Sequence, residues 1–366
     1  MILRETERSP DGAPLRRGWT TGACATAALK AALSALVKGA FEDPVTITLP
    51  GGQTPAFALA HEAEGIGFAE AGIIKDAGDD PDVTHGALVT VRVESTPPGS
   101  GLSFHAGGGV GIVTKPGLPL AVGEPAINPV PRKMMTEVVT ELAAERGLPL
   151  DFAITVSVRD GEKLAEKTWN PRLGIIGGLS ILGTTGIVIP YSCSAWIHSI
   201  QRGVDVARAM GLEHVVGSTG DVSEKAAMAH LGLPIEAYLD MGDFVGGLLK
   251  YLRVHPVRRV IIAGGFAKLC KLAQGAMDLH SGRSSVDLEL LATLLAELGA
   301  DSELVVLAGS ANTASEVLGL ASAAGLDLAG AIAARARAEA QRMVGEASTV
   351  SVLVVDRAGQ IVAEAG

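Results

Sequence analysis

Aromatic side chains are scarce in this chain, 4% of its 366 residues, which leaves little with which to stack on nucleic-acid bases. Basic residues are outnumbered as well: 30 Lys and Arg against 40 Asp and Glu give a formal net charge of −10, the wrong sign for a surface that follows a phosphate backbone. Nucleic acid is therefore not an expected partner. Cysteine is limited to Cys24, Cys193 and Cys270, odd in number and far apart, so neither a disulfide framework nor a CxxC metal site is expected and a reducing cytoplasm fits. The opening MILRETERSPDGAPLRRG lacks the apolar core of a signal peptide. No His, Cys and carboxylate set has zinc spacing, so no metal is expected. The chain also contains neither GxxxxGK(S/T) nor a strand-linked GxGxxG with a downstream acid, which removes the signatures of ordinary ATPases and dehydrogenases.

Charge is absent from one long run, Leu173 to Gln201, which is long enough in principle to cross a bilayer. Five glycines, Pro190 and the polar run from Tyr191 to Ser194 interrupt it, so buried strand, turn and helix start are the expectation and a membrane is not.

Glycine and proline, by contrast, are concentrated. Residues 105–133, HAGGGVGIVTKPGLPLAVGEPAINPVPRK, hold six glycines and five prolines, a combination that makes a rigid but non-repetitive backbone path. Val110, Ile112, Val113, Leu118, Leu120, Val122 and Ile127 are spaced through it, which a solvated linker would not need; an ordered ligand-binding loop is expected, with a structural crossover as the alternative.

At this length two domains are the default. The first half reads as α+β: a helix after Thr20-Thr21-Gly22, strands at Pro44–Leu49 and Leu88–Val93, an amphipathic helix from Arg132 ended by Gly147, and a strand at Phe152–Val158. The second half repeats strand then helix from His214, Ile235 and Arg258, with further strands expected at 303–310 and 348–356 and a closing hairpin at 357–360. Such repetition means a mostly parallel sheet with helices on its faces. The polar link at 160–172 places the boundary, giving 1–165 as an α+β domain and 166–366 as the parallel α/β domain.

In an open α/β sheet ligands bind beyond the carboxyl ends of the strands. Those ends read Tyr191-Ser192, Gly217-Ser218-Thr219-Gly220-Asp221, Asp240-Met241-Gly242-Asp243 and Gly264-Gly265, small and hydroxylic residues with acids that suit a nucleotide-like cofactor. Taken singly, each is better read as a turn glycine or a helix N-cap, and it is the four together that suggest a cofactor. Thr20, Thr21 and the 183–186 loop offer hydroxyls and N–H groups to a carboxylate, or else plain caps and turns. Basic residues gather at Lys115, Arg132 and Lys133, and again at Lys268, Lys271, His280 and Arg283; solvated helix faces account equally for Lys268 and Lys271, whereas 278–285 reads as a polar loop between helices. His198 reads as a packed core histidine.

Four blocks, LRRGWTTGACATAALKAAL (15–33), GGGVGIVTKPGLPLAVGEPAINPVPRKM (107–134), GGLSILGTTGIVIPYS (177–192) and RRVIIAGGFAKLCKLAQGAMDLHSGRSSVD (258–287), closely resemble, in that order, the CbiD family of cobalt-precorrin-5B C(1)-methyltransferases. The resemblance implies S-adenosylmethionine as methyl donor, a carboxylate-rich corrinoid as acceptor, cobalt-precorrin-6A as product on the anaerobic-type route to cobalamin, and a C-terminal part that is Rossmann-like. It assigns no catalytic residue. From the residues themselves, His280 and Asp221 are candidates for proton handling; Gly217, Ser218, Thr219, Gly220, Asp243, Gly264 and Gly265 for the cofactor; Thr20, Thr21, Lys115, Arg132, Lys133 and Arg283 for the substrate's carboxylates. A homo-oligomer is compatible with this reading. The competing readings are a non-catalytic corrinoid carrier, and a kinase that binds ATP through 105–117.

Overall fold

The computed structural model describes residues 13–366; the first twelve residues of the polar N-terminus lie outside it. The chain is mixed α/β and divides into two compact units, the first ending at Cys193 and the second spanning Ser194–Gly366.

In the first unit five strands form one sheet, in the order His61–Gly65, Phe68–Ile74, Leu88–Ser95, Phe152–Val158, Ser103–Ala106. All neighbours are antiparallel except the last pair. The helix Thr21–Lys38 starts where the Thr20 hydroxyl accepts from Ala23 N at 3.2 Å and ends at Gly39, whose N–H returns to Ala35 O. With 14 of its 18 residues buried, half of them alanines, it lies close against the sheet and the helix Pro129–Arg146. Small side chains permit that approach. The expected strand at Pro44–Leu49 shrinks to Val45–Thr46, paired with Ala56–Phe57.

The boundary falls later than the expected 165/166 because residues 166–193 turn back into the first unit. Gly18–Trp19 pairs with Ile187–Val188, Ile112–Val113 with Ile175–Ile176, and Gly109–Val110 with Gly178–Leu179. The uncharged run is thus made of two-residue strands and the start of the helix Cys193–Ala209; among the described residues no helix is long and apolar enough to cross a membrane.

The second unit holds a sheet ordered Tyr238–Asp240, His214–Ser218, Arg259–Gly265, Thr349–Val355, Ile361–Ala365. The first four strands are parallel and the last returns as the expected hairpin. The helix Asp221–Leu231 covers the face bearing Val216, Ile261 and Leu353. On the opposite face a Cβ at Gly217 would sit 2.5 Å from Leu248 of the helix Val245–Val254.

Residues 303–310 are not a strand. Ser302–Gly309 is a helix, begun by Asp301, whose carboxylate accepts from Leu304 N at 2.8 Å. The Leu-Val-Val-Leu run has strand composition, but the cap and packing on Leu288–Glu297 decide otherwise.

Candidate functional site

The Gly/Pro-rich segment of the first unit is ordered around its own small core, where Val113, Ala126 and Ile175 are buried with Leu118, Leu120 and Leu173 packed on them. Val122 and Ile112 are exposed. At its start Gly109, with φ +76°, lies backbone to backbone against Gly161 and Gly178, and its N–H donates to Glu162 Oε1 at 2.8 Å; no residue with a Cβ fits there. At its end Arg132 donates from Nε to Ile127 O at 2.8 Å and from a terminal nitrogen to Pro125 O at 3.1 Å, with Glu124 Oε2 at 2.7 Å. Arg132 therefore ties the loop down. Lys115 packs its stem on Gly174, and Lys133 is exposed, 3.8 Å from Glu137.

Thr20 and Thr21 are also committed locally. The Thr20 hydroxyl caps its helix, while Thr21 Oγ1 accepts from Leu182 N at 3.0 Å and Thr20 N donates to Gly186 O at 3.0 Å. The two hydroxyl-bearing loops read from the sequence fasten to each other.

In the second unit the sheet order reverses between His214–Ser218 and Arg259–Gly265, the position at which open α/β sheets bind ligands. Thr219 N donates to Ala263 O at 3.0 Å, joining the two strand ends. Of the four glycines expected here, two are packing glycines. A Cβ at Gly217 would strike Leu248 and Met241, and one at Gly264 would lie 2.9 Å from Thr219 Cγ2. Gly220 and Gly265 differ: a Cβ on either meets nothing within 4 Å. Each sits at the N-terminus of a helix, Asp221–Leu231 and Phe266–Ala273, whose first N–H groups suit a polar ligand. Ser218 Oγ is buried without a hydrogen-bond partner.

One element was missed by sequence reasoning. Trp196 Nε1 donates to Asp240 O at 3.0 Å, its ring lies 3.5 Å from the Cβ position of Gly242, and it tilts against Phe244 at 6.3 Å between centroids. An aromatic pair thus stands at the end of Tyr238–Asp240. Only a contact across 44 positions reveals it.

The acids and bases sort themselves by partner. Asp243 is paired with Lys268, and Lys271, read as either a polyanion contact or a solvated face, is instead buried with Nζ donating to Leu279 O at 3.0 Å, which holds the 278–285 loop. In that loop Arg283 pairs with Asp278 at 2.5 Å, and His280 is exposed, its Nδ1 accepting from Gly282 N at 3.1 Å. Asp221 is exposed and pairs with Lys225 one turn on, at 2.8 Å. His198 is exposed, not packed in the core, because it lies on the outer side of Cys193–Ala209. Burial pushes the thiols of Cys24 and Cys270 up to about 12, so both are neutral thiols at pH 7.

A mostly parallel sheet whose strand order reverses at glycine-rich strand ends, together with a unit built on a Gly/Pro-rich segment, defines a two-unit α/β protein. The chain belongs to the CbiD family: the CbiD family model matches residues 8–190 and the CbiD C-terminal domain model residues 278–366. It is 65% identical to the cobalt-precorrin-5B C(1)-methyltransferase of Rhodospirillum rubrum, across 98% of this chain and 100% of that one. It is 62% identical to the protein of the same name from Paramagnetospirillum magneticum, across 97% and 99%. A solved cobalamin biosynthesis protein from Archaeoglobus fulgidus is 29% identical, with 75% of this chain and 84% of that one covered at a TM-score of 0.40.

Proposed function

We propose that this chain methylates C-1 of cobalt-precorrin-5B with S-adenosylmethionine, giving cobalt-precorrin-6A on the anaerobic-type route to cobalamin. The observation that carries the reading is 65% identity over 98% of the chain to a relative named for that reaction. The C-terminal unit is read as the Rossmann-like cofactor unit, supported by its parallel strands and the reversal of their order.

The residues there fit the cofactor. Gly220 and Gly265 leave open a space that any side chain would fill, Ser218 keeps an unpaired hydroxyl beneath it, and Trp196 with Phe244 offers aromatic surface for a purine. When bound, the cofactor supplies an electrophilic methyl group on a sulfonium. The protein's work is then orientation and exclusion of water, together with acceptance of the proton that the methylated ring gives up. His280 is the proposed acceptor, since its ring is exposed; Nδ1, which accepts from Gly282 N–H, carries the basic lone pair in that tautomer, and taking up the proton there releases the Gly282 contact. Asp221 stays a weaker candidate, its carboxylate lying on Lys225 in the first turn of a helix, where it also favours the dipole. Lys115, Lys133 and Arg283 are proposed to meet the acceptor's carboxylates, and Arg132, Thr20 and Thr21 to shape the loops that present them.

The test is transfer of an isotope-labelled methyl from S-adenosylmethionine to the ring-contracted, deacylated corrinoid precursor, with the position read by mass spectrometry and NMR. One label at C-1 is expected. Label elsewhere would overturn the regiochemistry, and no label with corrinoid bound would favour a carrier.

A further inference from the structure

Among the described residues only two non-glycines have positive φ, Asp160 at 54° and Tyr191 at 55°. Asp visits the left-handed region readily because its short side chain bonds locally; the bulkier tyrosine does not. Something must hold Tyr191 there. Its backbone N–H donates to Asp80 Oδ1 at 2.8 Å.

Asp80 itself is mounted on a stiff loop, residues 75–87, between two sheet strands. Lys75, 1% exposed, donates to Asp82 Oδ2 at 2.6 Å, and Asp82 Oδ1 accepts from Thr84 N and Oγ1 at 2.8 and 2.6 Å. Ala77 N donates to His85 Nδ1 at 3.1 Å, and Arg16 pairs with Asp76. Three of the four aspartates in this loop thus serve the loop or its neighbour Arg16, since Asp79 accepts from Arg16 N at 2.6 Å. Asp80 alone reaches the backbone of residue 191.

Strain kept at a residue is often compensated by its burial. Tyr191 is 58% exposed, so core packing does not account for it. The other two tyrosines are spoken for, Tyr238 buried and Tyr251 donating to Asp205 at 2.7 Å. Tyr191 also ends a stretch in which Leu182 and Ile189 are exposed and which has no charged residue from 173 to 201. The exposed side chains of Leu182, Ile189 and Tyr191 carry no charge, and apolar surface with an aromatic ring suits the face of a planar conjugated ligand.

We propose that Tyr191 contacts the flat face of the corrinoid acceptor and that Asp80 is its positioning residue, holding the backbone in the conformation that presents the ring. This rests on the methyltransferase reading above and adds to it a residue for acceptor recognition. Burial pushes the Asp80 carboxyl above the usual carboxylate range, the Tyr191 N–H opposing the rise and Asp82 adding to it, as expected for a group fixed away from bulk water.

The experiment measures methyl transfer to cobalt-precorrin-5B, binding of S-adenosylhomocysteine by calorimetry and thermal stability for the full chain and its variants. Tyr191→Ala and Tyr191→Gly are expected to raise the apparent KM for the corrinoid about 10-fold, as loss of one ring-face contact of ~1.4 kcal/mol requires, with nucleoside binding unchanged. Tyr191→Phe stays within about threefold, since the ring is retained. Tyr191→Gly melts at the wild-type temperature or above it, because glycine relieves the strain. Asp80→Ala raises KM like Tyr191→Ala, and Asp80→Asn, whose amide oxygen still accepts from Tyr191 N, partly restores it. Wild-type KM in Tyr191→Ala overturns the proposal, as does Tyr191→Gly that loses stability together with every activity. A wild-type protein that transfers methyl to no corrinoid overturns the reading beneath it.

Discussion

Lys75 Nζ lies 2.6 Å from Asp82 Oδ2 in a site where the lysine is 1% exposed. A buried ammonium without its counter-ion is far costlier than the pair is favourable, so Asp82→Ala is expected to destabilise the first unit by about 3–5 kcal/mol, and Lys75→Met with Asp82→Leu by clearly less. Urea unfolding of the two variants and the wild type checks the inequality.

The same pair sets an acid limit. Burial works against the Asp82 carboxylate, but the Lys75 ammonium and the Thr84 hydrogen bonds outweigh it and hold its pKa below the ordinary 3.8. A carboxyl depressed in the folded state contributes stability that is present above its unfolded value and lost as pH falls through its folded value. Thermal melts should therefore fall away below pH 3.8. The Lys75→Met, Asp82→Leu variant should show a shallower loss over that range.

Gly265 and Gly264 are adjacent but not equivalent. Gly265 has φ −66° and ψ 147°, which valine adopts without strain, and faces open space. Gly265→Val is expected to fold normally and to abolish S-adenosylhomocysteine binding in calorimetry. Gly264→Val and Gly217→Val press on Thr219 and on Leu248, and should lose about 1–3 kcal/mol of stability from overpacking. Normal binding by Gly265→Val would move the cofactor out of this crevice.

Charge reversal should separate the loop's anchor from its exposed cation. Arg132→Glu breaks two bonds to backbone carbonyls and opposes Glu124; a loss of about 2 kcal/mol is expected, discounted for partial exposure. Lys133→Glu leaves stability alone, raises the corrinoid KM at low salt and flattens its dependence on ionic strength. Kinetics at two salt concentrations decide the second point.

For proton transfer, His280→Ala is expected to lower kcat by about 100-fold at saturating cofactor with nucleoside binding unchanged. Asp221→Asn, whose carboxylate is exposed and already on Lys225, should change kcat by less than about threefold. The reverse ranking would transfer the role to Asp221.

Much of the architecture was legible in the sequence because it rests on local rules. Phe152–Val158 alternates along one sheet, Gly147 and Gly39 stop helices, and the strand-then-helix units of the second half stand in the expected order, with His214–Ser218 and Arg259–Gly265 within two residues of their expected limits and the strand read at 235–243 shortened to Tyr238–Asp240. The family resemblance was legible too, since it lies in contiguous blocks. Where composition and partners disagree, tertiary contacts prevailed. The Leu-Val-Val-Leu run became a helix because Asp301 caps it, and 166–193 stayed in the first unit through two-residue strands too short to show a period. At the site, sequence could name glycines and cations but not what each one faces. Gly217 and Gly264 meet side chains while Gly220 and Gly265 meet none; Arg132 closes on carbonyls five and seven residues away; Trp196 reaches Asp240, and Asp80 reaches Tyr191 across 111 positions. Residue type sets which interactions a side chain can make, and only the folded chain brings it the partner that selects among them.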